Sequence, residues 1–209
     1  MNLDSIIFDL DGTLWDSTQG VMESFNKTIS KYNEVKDKLT IEDIKGIMGL
    51  CIEDIALRFF PYLDKEKGLE IIKCCCEEEC GHLENKGGIL YDGLEETLKK
   101  LASTHKLFIV SNCQCGYIEA FFKAHGLSKY FKDYENPGRT GLTKGENIKL
   151  IIERNNLKSP IYVGDTDGDL KAARFASIPF IYARYGFGEV TGYDYAIDSF
   201  KELYKIIMP

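Results

Sequence analysis

The chain has 209 residues, 44% of them hydrophobic and 28% charged, the balance of a folded globular protein with an ordinary core rather than a disordered one. That length accommodates one domain, or one domain carrying a modest insertion. A formal net charge of −7 excludes a protein that tracks nucleic-acid phosphates by general electrostatics; small anionic substrates stay open, because a local cation or metal can reverse the field at one site.

No run approaches the roughly 18 consecutive apolar residues of a membrane span. The first apolar stretch carries Asp4 and Asp9 and no basic leader, so neither a membrane anchor nor export is expected. The seven cysteines are odd in number and clustered, which reads as reduced thiols in a cytoplasmic protein.

In chain order, Ser5-Ile6-Ile7-Phe8 is a short apolar run that suits a buried parallel strand. From Thr18 to Lys86 the pattern turns helical, with no convincing strand. Val21, Phe25, Ile29 and Tyr32 form one stripe. Thr40 with Asp43 predicts a helix start. Ile52, Ile55, Ala56, Phe59 and Phe60 form a second stripe that Pro61 stops. A further helix is predicted from about Leu63 to Glu84, and Gly87-Gly88 closes the segment.

Beyond it, strand and helix patterns alternate. Leu107–Val110, Ile161–Val163 and Pro179–Tyr182 read as strands. Leu94/Thr97/Leu98/Leu101, Ile118/Phe121/Phe122, Ile148/Ile151/Ile152 and Leu170/Ala173 read as helices. The alternation predicts an α/β fold, a doubly wound parallel-sheet, Rossmann-like core made of 1–17 and 87–209, with 18–86 as an inserted all-helical domain.

Four stretches carry chemistry. Phe8-Asp9-Leu10-Asp11-Gly12-Thr13 ends the first strand, where ligands bind in open α/β sheets. Two carboxylates at that spacing can divide the work of nucleophile and proton carrier, although Asp-Gly is also an ordinary turn. Gly164-Asp165-Thr166-Asp167-Gly168-Asp169 follows another buried strand. Three aspartates so close repel one another unless a cation intervenes, and oxygen-only ligation suits magnesium; the bland alternative is an acidic loop in which Asp165 or Asp167 caps a helix. Ser111-Asn112 follows the next core strand, with a hydroxyl and backbone amide that can hold phosphoryl oxygens. Lys144, near a helix start, offers a fixed cation. These last two stretches are weak alone, since Ser-Asn is common turn chemistry and lone lysines are mostly solvated.

In this order and spacing, the stretches resemble the haloacid dehalogenase superfamily, and within it phosphatases of the phosphoglycolate phosphatase-like type. Asp9-Leu10-Asp11-Gly12-Thr13 matches the first family motif, Ser111-Asn112 the second, Lys144 the third, and Gly164-Asp165 with Asp169 the fourth. The likeness covers essentially the whole chain, with 18–86 where that group carries its cap. It implies Asp9 as nucleophile and Asp11 as general acid and then base. It implies Ser111, Asn112 (through its backbone) and Lys144 as phosphoryl binders. Magnesium would be held by Asp9, the backbone carbonyl of Asp11, and Asp165, with Asp169 completing or orienting the set. The expected substrate is a small phosphorylated metabolite, with neither nucleic acid nor membrane as partner, for a monomer or homodimer. Two departures stand out: Gly145 replaces a common proline, and Ser177 a usual glycine. Asp11 argues against dehalogenation, in which no alkoxide needs a proton. A sugar phosphomutase on the same core, or a module in which Asp9 is phosphorylated only as a signal, are the alternatives.

Two further features invite other readings. Cys74, Cys75, Cys76, Cys80 and His82 suggest a metal, but the run continues a charged helix and lacks separated ligand pairs. Cys113 and Cys115 lie beside Ser111-Asn112, where a redox role would need exposure and a lowered pKa. His105 and His125 read as helix-end or surface residues, and Arg184–Gly188 as a loop near the site.

Overall fold

The computed structural model describes residues 3–208. Its centre is strand β1 (Ser5–Phe8), every residue of which is buried. The chain then makes a tight turn into β2 (Trp15–Asp16) and leaves the sheet for four helices. These are α1 (Thr18–Ile29), α2 (Ile41–Lys45), α3 (Ile52–Phe59) and α4 (Lys65–Lys86). It returns through β3 (Ile89–Leu90), which pairs antiparallel with β2. The two connections of the helical insertion therefore run side by side. Gly88 permits this, because a Cβ there would lie 2.8 Å from the Asp16 carbonyl.

The rest of the chain is α5 (Leu94–Ala102), β4 (Lys106–Val110), α6 (Tyr117–His125), β5 (Phe131–Glu135), α7 (Pro137–Thr140) and α8 (Lys144–Arg154). It closes with β6 (Pro160–Gly164), α9 (Asp167–Phe175), β7 (Phe180–Ala183), β8 (Tyr195–Ile197) and α10 (Leu203–Ile207). The large sheet has the order β5-β4-β1-β6-β7-β8, and each neighbouring pair is parallel. The chain builds outward from β1 on one side, then crosses to β6 on the other. The carboxyl end of β1 therefore lies at the point where strand order reverses, which is where such sheets open a crevice.

Strand periodicity divides the core. Ile6, Phe8, Leu107, Ile109, Ile161 and Val163 pack on one face with α5, α6 and the insertion. Ile7, Phe108, Val110 and Tyr162 pack on the other with residues of α8 and α9.

Several expectations shift in detail. The last inner strand is Phe180–Ala183, one residue later than predicted, and Pro179 supplies only a carbonyl, to Tyr162. The first insertion helix stops at Ile29, and Tyr32 follows in a turn. Strands β5 and β8 were not predicted. Both are edge strands with half-exposed residues, so neither shows a continuous apolar run. Thr40 and Asp43 form the reciprocal cap expected of them.

A candidate active site at the carboxyl end of the central strand

Asp9 is the first residue beyond β1 and is buried. Its amide donates to the Val163 carbonyl at 2.8 Å, which continues the strand pairing up to the site. Lys144 approaches from the first turn of α8. Thr143 and Glu146 cap that helix reciprocally, which fixes the start of the helix and with it the lysine. The Lys144 Nζ donates to Asp9 Oδ1 at 2.9 Å and to Asp169 Oδ1 at 2.6 Å. Gly145, where the family commonly has proline, is crowded by Phe175: a Cβ there would meet its ring at 2.7 Å.

The three aspartates of the 165–169 loop are sorted by burial. Asp167 is exposed and pairs with Lys171 at 2.6 Å. Asp165 and Asp169 are fully buried. The cap of α9 is Thr166, not an aspartate, and Asp169 answers it. Asp169 Oδ2 accepts from the Thr166 amide at 2.9 Å, the Thr166 hydroxyl at 2.7 Å and the Asp165 amide at 3.2 Å. With its other oxygen on Lys144, Asp169 is held on every side. Asp165 is less constrained: it accepts from the Phe187 amide at 2.7 Å and from Thr13 Oγ1 at 3.4 Å. Glycine makes room for it, since a Cβ at Gly12 or Gly186 would lie 2.1 Å or 2.4 Å from Asp165 Oδ2.

Asp9, Asp165 and Asp169 each offer a carboxylate oxygen, all within 4.8 Å of one another. One ammonium faces three buried carboxylates. Burial, then the charge of Asp169, pushes Asp9 up to about 7 against the pull of Lys144. Burial and the same neighbours raise Asp165 well above the carboxylate range. The Lys144 ammonium is held above its usual value by both partners, against its own burial. An all-oxygen set with uncompensated negative charge fits a hard divalent cation.

Asp11 stands apart from this group. Its Oδ1 accepts from Ser17 Oγ at 2.6 Å, Trp15 Nε1 at 2.9 Å and Tyr117 OH at 2.9 Å. Burial raises its pKa, and the donors Ser17, Tyr117 and Trp15 oppose that. None of these donors was singled out from the sequence. Ser17 lies near enough to the motif to suggest itself, whereas Tyr117 is brought in by α6 and leaves no local signal. Ser111 is buried, and its hydroxyl helps to hold the Asp9 pKa down. The Asn112 side chain donates to the Gly49 carbonyl of the insertion at 3.0 Å, so it bridges core and insertion. Its backbone amide has no hydrogen-bonding partner among the described residues.

The loop 184–188 reaches the site as expected, through the Phe187 amide and through Tyr185, whose hydroxyl donates to the Thr13 carbonyl at 2.9 Å. Ser177 has a φ of 58°, the left-handed conformation for which the family's usual glycine is suited. Cys113 is buried, and burial raises its pKa, so its environment does not favour a thiolate. Cys75 and Cys76 are buried thiols within α4. His125 packs edge-on against Trp15 at the end of α6, with ring centroids 5.6 Å apart. Among the described residues, no helix is long and apolar enough to cross a membrane.

Residues 6–183 match the haloacid dehalogenase-like hydrolase family. The chain belongs to that family, and its likenesses put it with the phosphatases there. It is 26% identical over 221 residues to a phosphoglycolate phosphatase of Photobacterium profundum, covering 97% of this chain and 94% of the relative. A phosphoglycolate phosphatase of Agrobacterium fabrum is 27% identical over 209 residues, covering 94% and 89%. Among solved structures, a predicted phosphatase from Clostridium acetobutylicum superposes with a TM-score of 0.82 at 24% identity, covering 99% and 98% of the two chains. At that identity, the structural likeness speaks to the fold alone.

Proposed function

We propose that the protein is a magnesium-dependent phosphatase that hydrolyses a small phosphorylated metabolite through an aspartyl-phosphate. The observation that carries this reading is Asp9, at the crevice of the sheet, paired with Lys144 and grouped with Asp165 and Asp169. An oxygen of Asp9 attacks phosphorus while the bond to the leaving oxygen breaks, and Asp11 gives that oxygen its proton. Asp11, now a carboxylate, takes a proton from the water that attacks the aspartyl-phosphate. The bond from phosphorus to Asp9 then breaks, and inorganic phosphate departs. Lys144 and Ser111, with the free amide of Asn112, hold the phosphoryl oxygens. Asp9, the Asp11 carbonyl and Asp165 would hold the magnesium ion, with Asp169 fixing Lys144 and the loop. Bound there, the ion neutralises charge on the transferring group.

The insertion 18–86 acts as a lid, with the paired strands β2 and β3 as its hinge. Contact between Asn112 and Gly49 supports this reading. Seven unpaired cysteines are consistent with work in a reducing compartment.

The test is turnover of p-nitrophenyl phosphate with magnesium, repeated after chelation and in Asp9→Asn. Chelation should abolish activity, and the variant should lose about a thousandfold or more while still folding. Activity within tenfold of the parent in Asp9→Asn, or full activity without metal, would sink the reading. Release of inorganic phosphate, rather than an isomerised ester, separates it from a mutase.

A further inference from the structure

The insertion and the core line a cavity of about 50 Å³ beside Asp11. On the insertion side it is largely apolar, but Glu79 of α4 lines it together with Asp11, Asn112 and Gln114. Among the described residues, none of those lining it is a lysine, arginine or histidine. On the phosphatase reading Asp11 reaches the leaving oxygen, which places the esterified alcohol in this space.

Glu79 is an unusual residue to find here. Its neighbours Glu77 and Glu78 are exposed, whereas Glu79 is buried. Gln114 Nε2 donates to its Oε2 at 2.6 Å, and its Oε1 receives no hydrogen bond from a described residue. Glu79 lines the cavity, so that free oxygen can receive a hydrogen bond from a ligand there.

Most side-chain donors around the cavity are already engaged. Asn112 Nδ2 goes to Gly49, Gln114 Nε2 to Glu79, and the Tyr117 hydroxyl to Asp11. The side-chain acceptors still on offer are Glu79 Oε1 and the carbonyls of Asn112 and Gln114.

Resting on the phosphatase reading, we propose that Glu79 is a specificity-determining residue that accepts a hydrogen bond from the leaving group. The substrate is then a phosphomonoester of a small hydroxyl- or amine-bearing alcohol, not of a hydroxy acid such as glycolate. A glycolate carboxylate would lie beside the Asp11 and Glu79 carboxyls, with no lysine, arginine or histidine among the described lining residues to receive it. On this point the chain parts from the phosphoglycolate phosphatases it resembles.

The test compares kcat/KM of the parent enzyme, with magnesium, for glycerol phosphate, phosphoethanolamine and phosphoglycolate. p-Nitrophenyl phosphate serves as a measure of the chemistry without leaving-group donors. Glycerol phosphate or phosphoethanolamine should exceed phosphoglycolate by at least about tenfold. Glu79→Gln should shrink that ratio, and Glu79→Lys should invert it. A parent that prefers phosphoglycolate overturns the proposal without need of any variant. An unaltered ratio in Glu79→Gln overturns it too, because a residue that merely clasps insertion to core would leave the ranking alone. Hydrolysis of p-nitrophenyl phosphate with a failed ranking leaves the phosphatase reading standing; loss of turnover on every ester overturns both.

Discussion

Around Asp9, charge is met by charge. Lys144 sits between Asp9 and Asp169 at hydrogen-bond distance, and Asp165 adds a third buried carboxylate. Around Asp11 and Glu79, on the side facing the insertion, carboxyls are met by neutral dipoles. Ser17, Trp15 and Tyr117 donate to the first, and Gln114 to the second. The contrast bears on how a small site treats the two halves of one substrate. A phosphoryl group is an anion, and on the proposed reading its end of the cleft is the one that cations complete. On the proposed reading the alcohol end offers acceptors, and among the described residues no lysine, arginine or histidine lines it.

The contrast breaks most visibly at Lys144. Lys144→Met strands buried carboxylates without the lysine that pairs with them, and should destabilise the fold by about 3–5 kcal/mol. Urea unfolding measures this; a loss below about 1 kcal/mol would mean that the cluster is balanced by something other than the lysine.

Glu79 sharpens the other half. Its folded pKa, about 8, lies above the ordinary 4.5. A carboxyl raised on folding contributes stability that is fully present below the unfolded value and lost as pH rises through the folded one. Parent stability should therefore fall between 4.5 and about 8 through this group. Glu79→Gln, which cannot ionise, should fall less, by on the order of a few kcal/mol. Asp9 titrates in part of the same window, so the parent-minus-variant difference isolates Glu79. Parallel curves for the two proteins would refute a buried, protonated Glu79.

The smallest effect concerns a single dipole. Tyr117→Phe removes one of the donors on Asp11 Oδ1 and should cost about 0.5–1.5 kcal/mol of stability. Because Asp11 loses orientation rather than identity, alkyl phosphates should slow more than p-nitrophenyl phosphate, whose leaving group needs little protonation. Equal slowing of both would detach Tyr117 from the proton-transfer step.

Much was legible without coordinates wherever the determinant was local. Continuous apolar runs marked β1, β4 and β6, because strands buried on both faces have no polar side to show. Thr40 and Asp43 announced a helix start three residues apart, as capping geometry requires. Asp9, Asp11, Asp165 and Asp169 were conspicuous because carboxylates at strand ends are poor structural choices. What tertiary structure alone decided was every relation between distant segments. Which aspartate of the loop turns inward, Lys144 bridging Asp9 and Asp169, and Tyr117 reaching Asp11 from α6 all depend on elements meeting across the sheet. The edge strands β5 and β8 stayed hidden because half-exposed strands mix polar with apolar residues. Glu79 was indistinguishable from Glu77 and Glu78 in a run of like residues. Only the packing of α4 on the core selects which of the three is buried beside Asp11, since a helix turns each successive residue by a fixed angle while sequence alone leaves its inward face unassigned in a run of equals.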